Sequence, residues 1–517
     1  MIWWRWKKKK SWKYNPRMSN QNYFSRLLKK NLWIYFFSFL TAPLAYVGKI
    51  AMTWSVSAED YGVFSAVISF VIMLGAYNDF GMAESLNFFL PEHLHKKEKH
   101  KITQTFSIAL VTQILSSSLL AILLFFGADI LAKYYFESPL AAPLLHIFIF
   151  FFFLDNIFRS TSMFFQSIQD TKLQKFTDFF RNFVQIALVV YIAFTNHATI
   201  EKYVWAYNVA TLVGVIVAFI FIYTKYHTYF TKSGWIFGRV DFWKIFRYAI
   251  FVMLSANVGT LLSQIDTQMI TVLLGTTEAG VYNIYLSIIR IPFVLLLPGV
   301  YFLFPVFTDL IKKGELETIK RLHSFCYEFF AIMALCMTSF YILFGDVLTE
   351  ILYWKNYAAS GAILIYAAPF LIFDFLLQID FQILSATGRP RTRLFILLAA
   401  IGFNFITNYF FLKMFGVAGS ALASGIGWIF IWFLAFRATR KFAWHFRWWA
   451  FIKNALGVAC LSWWLTFIHL ENFFFGRVQL FWGISLVACS YALLFLALNY
   501  TEFRRFFALF RHKEIVW

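Results

Sequence analysis

Two cations and a few carboxylates stand inside long apolar runs of this sequence, and they are the first clue to its chemistry. If such a run crosses a bilayer, an ionised side chain near its middle costs about 2.5–3.5 kcal/mol on insertion scales and must face protein or water. Arg290 lies ten residues after Gly280. At 1.5 Å per residue it is roughly 15 Å deep, near the midplane. A guanidinium offers a planar fork that fits phosphate. Lys49, in the outer third of the first run, is a second cation able to hold an anionic group.

The carboxylates divide by position. Asp266, in the seventh run, lies at a depth close to that of Lys49. Two readings stand side by side: a Lys49–Asp266 pair that closes the outer mouth, or two charges each satisfied within its own half of the protein. Asp79 and Glu84, in the inner half of the second run, join Asp266 as gating or coupling candidates. Asp155 and Arg159 are four residues apart, Asp178 and Arg181 three, so each pair can neutralise itself along one helix face. Asp374 and Asp380, near Arg389, read as a proton or cation site, or as groups solvated at the interface; the second reading is preferred. His93, His95 and His100 read as solvated loop histidines, so no metal site is expected.

What must position these groups is a set of membrane helices. Of 517 residues 60% are hydrophobic and 14% charged, against about 25% charged in a soluble domain. The 68 Phe, 26 Tyr and 19 Trp exceed what one water-soluble core would hold. A net charge of +20 suits nucleic acid or anionic lipid. The apolar content selects lipid and excludes nucleic acid, because long spans leave no water-facing surface for it. The four Cys have no CxxC spacing, so neither a disulfide framework nor a zinc ribbon is expected.

About fourteen runs are long enough to cross as helices, which takes roughly 20 apolar residues each. They begin near Leu32, Gly62, Thr103, Leu140, Phe176, Tyr203, Arg247, Gly280, Leu322, Gly361, Leu394, Gly416, Ala450 and Val478. Barrel strands would be about 10 residues long with alternating polarity. Lys and Arg mark the cytoplasmic side of such a protein. Thirty-six fall on one side of the predicted spans and five on the other, which puts both termini in the cytoplasm. The Trp- and Lys-rich tail, residues 1–30, is a topology determinant or an anchor to anionic lipid.

The chain also repeats itself. Glu59 to Phe64 (EDYGVF) lies 218 positions before Thr277 to Tyr282 (TEAGVY), and the same offset pairs Ser167 with Ser385, Lys175 with Arg393 and Tyr191 with Tyr409. Six spans per copy is an even number, so both copies insert with one polarity, related by an axis along the membrane normal. The expected fold is an all-α polytopic membrane protein: two six-helix lobes plus two C-terminal helices. The lobes are expected at 31–228 and 246–440, joined by a cytoplasmic linker at 229–245. Helices 13 and 14 fall in 441–500, and a basic tail occupies 501–517. A small-residue stripe, Gly419, Ala423 and Gly427, reads as helix packing. Pro292, Pro298 and Pro305 bend the eighth span.

Several of these segments resemble the polysaccharide-biosynthesis flippases of the multidrug/oligosaccharidyl-lipid/polysaccharide exporter superfamily. They are EDYGVF with NDFGMAESLNFFLPEH in the first lobe, and QIDTQMITVLLGTTEAGVYNIY, SATGRPRTRLF and FGVAGSALASGIG in the second. The likeness covers about residues 31–440; Asp79, Gly81, Asp266 and Gly280 match by motif and are taken first as architectural. It implies alternating access that carries an undecaprenyl-pyrophosphate-linked oligosaccharide from the inner to the outer leaflet, for O-antigen, capsule or exopolysaccharide synthesis. Arg290 and Lys49 are the candidate pyrophosphate ligands; Asp266, Asp79 and Glu84 the gating or coupling candidates. The expected setting is a bacterial-type cytoplasmic membrane, with the protein monomeric and a polysaccharide polymerase as a further partner. A multidrug or cation antiporter of the same fold is the alternative. A membrane glycosyltransferase is disfavoured, since the outer loops hold no DxD. Neither a cofactor nor ATP coupling is expected.

Overall fold

The computed structural model describes residues 20–467, apart from 196, 232–238 and 443–447, and isolated positions between 487 and 500. Among the described residues the chain is helical and carries no strand. Residues 1–19 of the N-terminal basic tail, the C-terminal tail and nearly all of the expected fourteenth span lie outside them, while residues 20–30, expected as tail, are helical. Each of the first thirteen expected runs falls on one helix or on a broken pair. Among the described residues, nine helices are long and apolar enough to cross a membrane, or ten if the bent pair that forms the seventh run is one span.

The first lobe consists of α1 (Asn20–Ser55), α2 (Ala58–Asn78), α3 (Met82–His95), α4 (Lys99–Tyr134), α5 (Ala141–Ser167), α6 (Thr171–Ala193) and α7 (Ile200–Tyr226). The second consists of α8 (Arg239–Ala256), α9 (Val258–Leu273), α10 (Thr276–Ile289), α11 (Ile291–Lys313), α12 (Leu316–Tyr353), α13 (Ala358–Ala367), α14 (Leu371–Ala386), α15 (Pro390–Phe415) and α16 (Val417–Thr439). α17 (Trp448–Phe467) packs on α12. An offset of 218 carries the start of α2 onto that of α10, and brings the starts of α4, α6 and α7 within one residue of those of α12, α15 and α16.

The lobes meet where α2 crosses α10, its own repeat copy. An element can touch its copy only near the axis that relates them. The crossing is at Gly62 and Gly280, partners under the same offset. A Cβ on Gly280 would lie 2.8 Å from the Gly62 Cα, and one on Gly62 2.6 Å from the Thr276 carbonyl oxygen. Only bare glycine backbones approach this closely.

The second span is broken between α2 and α3. Phe80 and Gly81 have positive φ, and a Cβ on Gly81 would fall 2.3 Å from the Ala249 carbonyl oxygen of α8. Glycine therefore serves both the turn and the close approach. The small stripe of α16 packs as expected at Gly419, where a Cβ would strike the Phe411 carbonyl, but Gly427 faces open space.

Candidate functional site

Arg290 owes its position to the proline that follows it. Pro292 has no N–H to donate to the Ile288 carbonyl, and its ring crowds that carbonyl. The eighth span therefore breaks, with Arg290 between α10 and α11. The Tyr341 hydroxyl donates to the freed Ile288 oxygen at 2.8 Å, and Tyr46 donates to the Ser287 oxygen at 3.0 Å. Arg290 is exposed, and its guanidinium makes no hydrogen bond or salt bridge among the described residues.

It lines a cavity of about 390 Å³ between the lobes, walled by α1, α2, α9, α10 and the start of α11. Lys49 enters from α1 of the opposite lobe. Its ammonium donates to the Asn283 Oδ1 at 2.6 Å and to the Ser287 hydroxyl. Both acceptors are neutral, so they fix the ammonium without cancelling its charge. Among the described residues no Asp or Glu lines this cavity, and Tyr46, Ser69, Ser263, Gln264 and Thr267 supply its other polar groups. Two cations beside neutral dipoles give this cleft a positive potential. Asn283, Ser287 and Arg290 lie at i, i+4 and i+7 on one helical face. That spacing was visible in the sequence, yet Asn283 and Ser287 were not singled out.

The lobes touch on both sides of this cavity. At one end the Trp54 indole donates to the Leu352 carbonyl at 2.9 Å, and the Tyr61 hydroxyl donates to Asn283 at 3.0 Å. At the other, Phe88 and Tyr248 stack with centroids 4.5 Å apart, beside Gly81 and Ala249.

Lys49 and Asp266 do not pair. Asp266 is 8% exposed and accepts from the Tyr282 hydroxyl at 2.9 Å, the Asn408 amide at 2.8 Å and the Ser424 hydroxyl. It ties α9, α10, α15 and α16 of a single lobe together, so equal depth did not mean facing sides. Asp79 is fully buried and accepts the Gly81 and Ala83 backbone N–H groups at 2.9 and 3.2 Å, capping α3.

Two expected local neutralisations are replaced by pairs between helices. Arg159 reaches Glu84 on α3 at 2.8 Å, and Arg181 on α6 reaches Asp155 on α5 at 2.9 Å. Asp178 pairs with Lys175 at 3.3 Å. Spacing of three or four residues allows contact but does not compel it. Here the long side chains extend across an intralobe cavity instead.

Interfacial solvation of Asp380 is also overturned. It is fully buried and accepts from Tyr327 and, at 2.7 Å, from Thr439, with the His323 Nε2 3.4 Å away. Asp374 accepts from Gln378 at 2.9 Å. His93 is not a solvated loop residue; it is buried and lies 3.2 Å from Glu98.

The intralobe cavity, about 750 Å³, lies among α1, α2, α5, α6 and α7, with Asn257 and Thr260 of the second lobe completing it. Asp155, Arg159, Lys175, Asp178 and Arg181 all line it. Counting Glu84, which holds Arg159, three cations face three carboxylates. Ala42, Ile68 and Ile72 line both cavities, so the two adjoin.

Known proteins share this arrangement of helices. A family model described as polysaccharide biosynthesis protein matches residues 27–311. The chain belongs to this family. Its fold is that of a lipid II flippase, MurJ, in an inward closed conformation, with TM-score 0.70 at 16% identity over 93% of this chain and 100% of that one. An inward-facing multidrug resistance MATE transporter of the MOP superfamily matches with TM-score 0.66 at 13% identity, over 77% and 94% of the two chains. An uncharacterized membrane protein of Methanocaldococcus jannaschii is 25% identical over 439 residues, 80% of this chain and 85% of the relative. The expected all-α, two-lobed membrane fold and the expected family both hold. Within the polysaccharide biosynthesis family this member has the fold of a transporter rather than that of a soluble enzyme.

Proposed function

We propose that this protein moves a polyprenyl-diphosphate-linked oligosaccharide from the inner to the outer leaflet by alternating access, for assembly of a cell-surface polysaccharide. The observation that carries this reading is the pair Lys49 and Arg290, one from each lobe, in a cleft that no carboxylate lines among the described residues. A diphosphate is the part of such a cargo common to every glycan, and it is doubly suited: Arg290 offers a bidentate fork and Lys49 a point charge. Because the two cations belong to opposite lobes, an anion between them favours the conformation in which both reach it. Alternating access needs such a differential contact. The reading divides the chain at the expected boundaries, 31–228 and 246–440, and sets both termini in the cytoplasm of a bacterial-type inner membrane.

The antiporter alternative requires a carboxylate free to take a cation. Asp155, Asp178 and Glu84 are each held by Arg or Lys, and Asp266 is occupied with three hydrogen bonds, so the cationic cleft favours the lipid-linked cargo. The test is flipping of a fluorescent lipid-linked sugar diphosphate by purified protein in liposomes. Arg290→Gln and Lys49→Gln are expected to insert normally and to lose flipping, with Arg290→Lys keeping part of it. A full flipping rate in Arg290→Gln would overturn the reading.

A further inference from the structure

We infer that the cavity inside the first lobe is a carbohydrate subsite, which takes a neutral sugar of the cargo while the central cleft holds its diphosphate. This rests on the flippase reading. The two cavities adjoin through Ala42, Ile68 and Ile72, so one molecule can occupy both. A volume of about 750 Å³ falls within the usual range of ligand sites, roughly 300–1,000 Å³.

The chemistry of the two cavities differs in a way that matches the two parts of a sugar diphosphate. The cleft is cationic, lined by Lys49 and Arg290. The intralobe cavity is strongly polar, and each cation that lines it is paired: Arg181 holds Asp155, Lys175 holds Asp178, and Arg159 holds Glu84. Paired, fixed charges attract a further ion less than the two cations of the cleft do. They do present donors and acceptors side by side, as a ring of sugar hydroxyls requires, since each hydroxyl both donates and accepts.

A second observation points to a ligand. Asn257 is 7% exposed and lines the cavity, and its amide nitrogen has no partner among the described residues. The Arg181 Nε is likewise buried without one. Both are donors, and a buried donor left unsatisfied is unfavourable until an acceptor arrives; sugar oxygens would meet that need. The rings of Phe151 and Phe179 add apolar surface for the C–H face of a sugar.

Asn257 stands at the break between α8 and α9 and, with Thr260, belongs to the second lobe, whereas the rest of the polar wall belongs to the first. A sugar held by Asn257 therefore touches both lobes. The subsite then reports cargo identity to the motion that carries it.

The test uses the full-length protein in detergent and isothermal titration with citronellyl diphosphate, either bare or linked to glucose, galactose, N-acetylglucosamine or glucuronate. At least one neutral sugar should bind about tenfold tighter than the bare diphosphate, and glucuronate should show no such gain. Asn257→Leu should reduce the ratio of the two affinities to about one. Gln185→Leu, on α6 in the lining of the same cavity, should do the same and serves if the first variant does not fold. If no neutral sugar gains affinity, or the gain survives both variants, the subsite is overturned while the flippase reading stands. If wild-type protein binds none of these diphosphates, the flippase reading itself falls, and the subsite with it.

Discussion

Placing one methyl group where the lobes cross should separate them. Gly280→Ala puts a Cβ 2.8 Å from the Gly62 Cα and 3.1 Å from its nitrogen. Carbon atoms in contact prefer about 3.5–4.0 Å. The helices must therefore move apart by about 1 Å, and no rotamer can relieve the clash because the opposing atoms are backbone. Overpacking of this kind costs about 1–3 kcal/mol. If the cost falls on the closed arrangement alone, the balance between closed and separated lobes shifts roughly 5- to 150-fold. The Tyr61–Asn283 and Lys49–Asn283 hydrogen bonds span this crossing and should open with it. Spin labels at Glu59 and Asn356, both exposed and one on each lobe, read the separation by double electron–electron resonance. The expected result is a new, longer-distance population in Gly280→Ala and in Gly62→Ala. Gly259→Ala is the control, since no atom outside its own helix turn lies within 4 Å of its added Cβ. An unchanged distance distribution in Gly280→Ala, with wild-type thermal stability, would refute the packing argument.

Other consequences follow from the polar groups. Asp266→Leu strands the Tyr282 hydroxyl and the Asn408 amide, at about 1–3 kcal/mol for each unsatisfied group, and should lower the melting temperature in detergent by more than Asp266→Asn does. Breaking the Asp155–Arg181 pair by either single substitution to Leu should destabilise more than the double substitution, because the single change leaves one charge partly buried and alone; a double-mutant cycle of thermal shifts measures the difference. Asp170, in the turn between α5 and α6, gives a pH prediction. Burial opposes its charge, but hydrogen bonds from Tyr226, the Leu173 N–H and Lys225 outweigh burial and hold its carboxyl below the ordinary range. Its contribution to stability is thus fully present above about pH 4 and lost as pH falls through the lowered pKa. Asp170→Asn should remove that acid-side dependence from the unfolding midpoint.

The chemistry of the site was partly legible. Arg290 and Lys49 stood out because a charge in an apolar run is costly wherever the helix goes. Their companions Asn283 and Ser287 carry no charge, so only their shared helical face could have marked them. Pairings were the least legible. Arg159 had Asp155 four residues away and took Glu84 on another helix; Asp266 lay at the depth of Lys49 and turned into its own lobe.

Sequence alone determined the solvent, the number of expected crossings, the duplication and the family. Each is a sum over many residues or a match in register, and neither depends on how helices turn toward one another. It also set where along its helix each charged residue lies, because rise per residue is constant. Tertiary structure decided the rest: which face each helix presents, which charges meet, and that two adjoining cavities exist, one lined by two cations and one by ion pairs. Rotation about the helix axis is set by contacts among residues hundreds of positions apart, as at Gly62 and Gly280, and no local pattern encodes it.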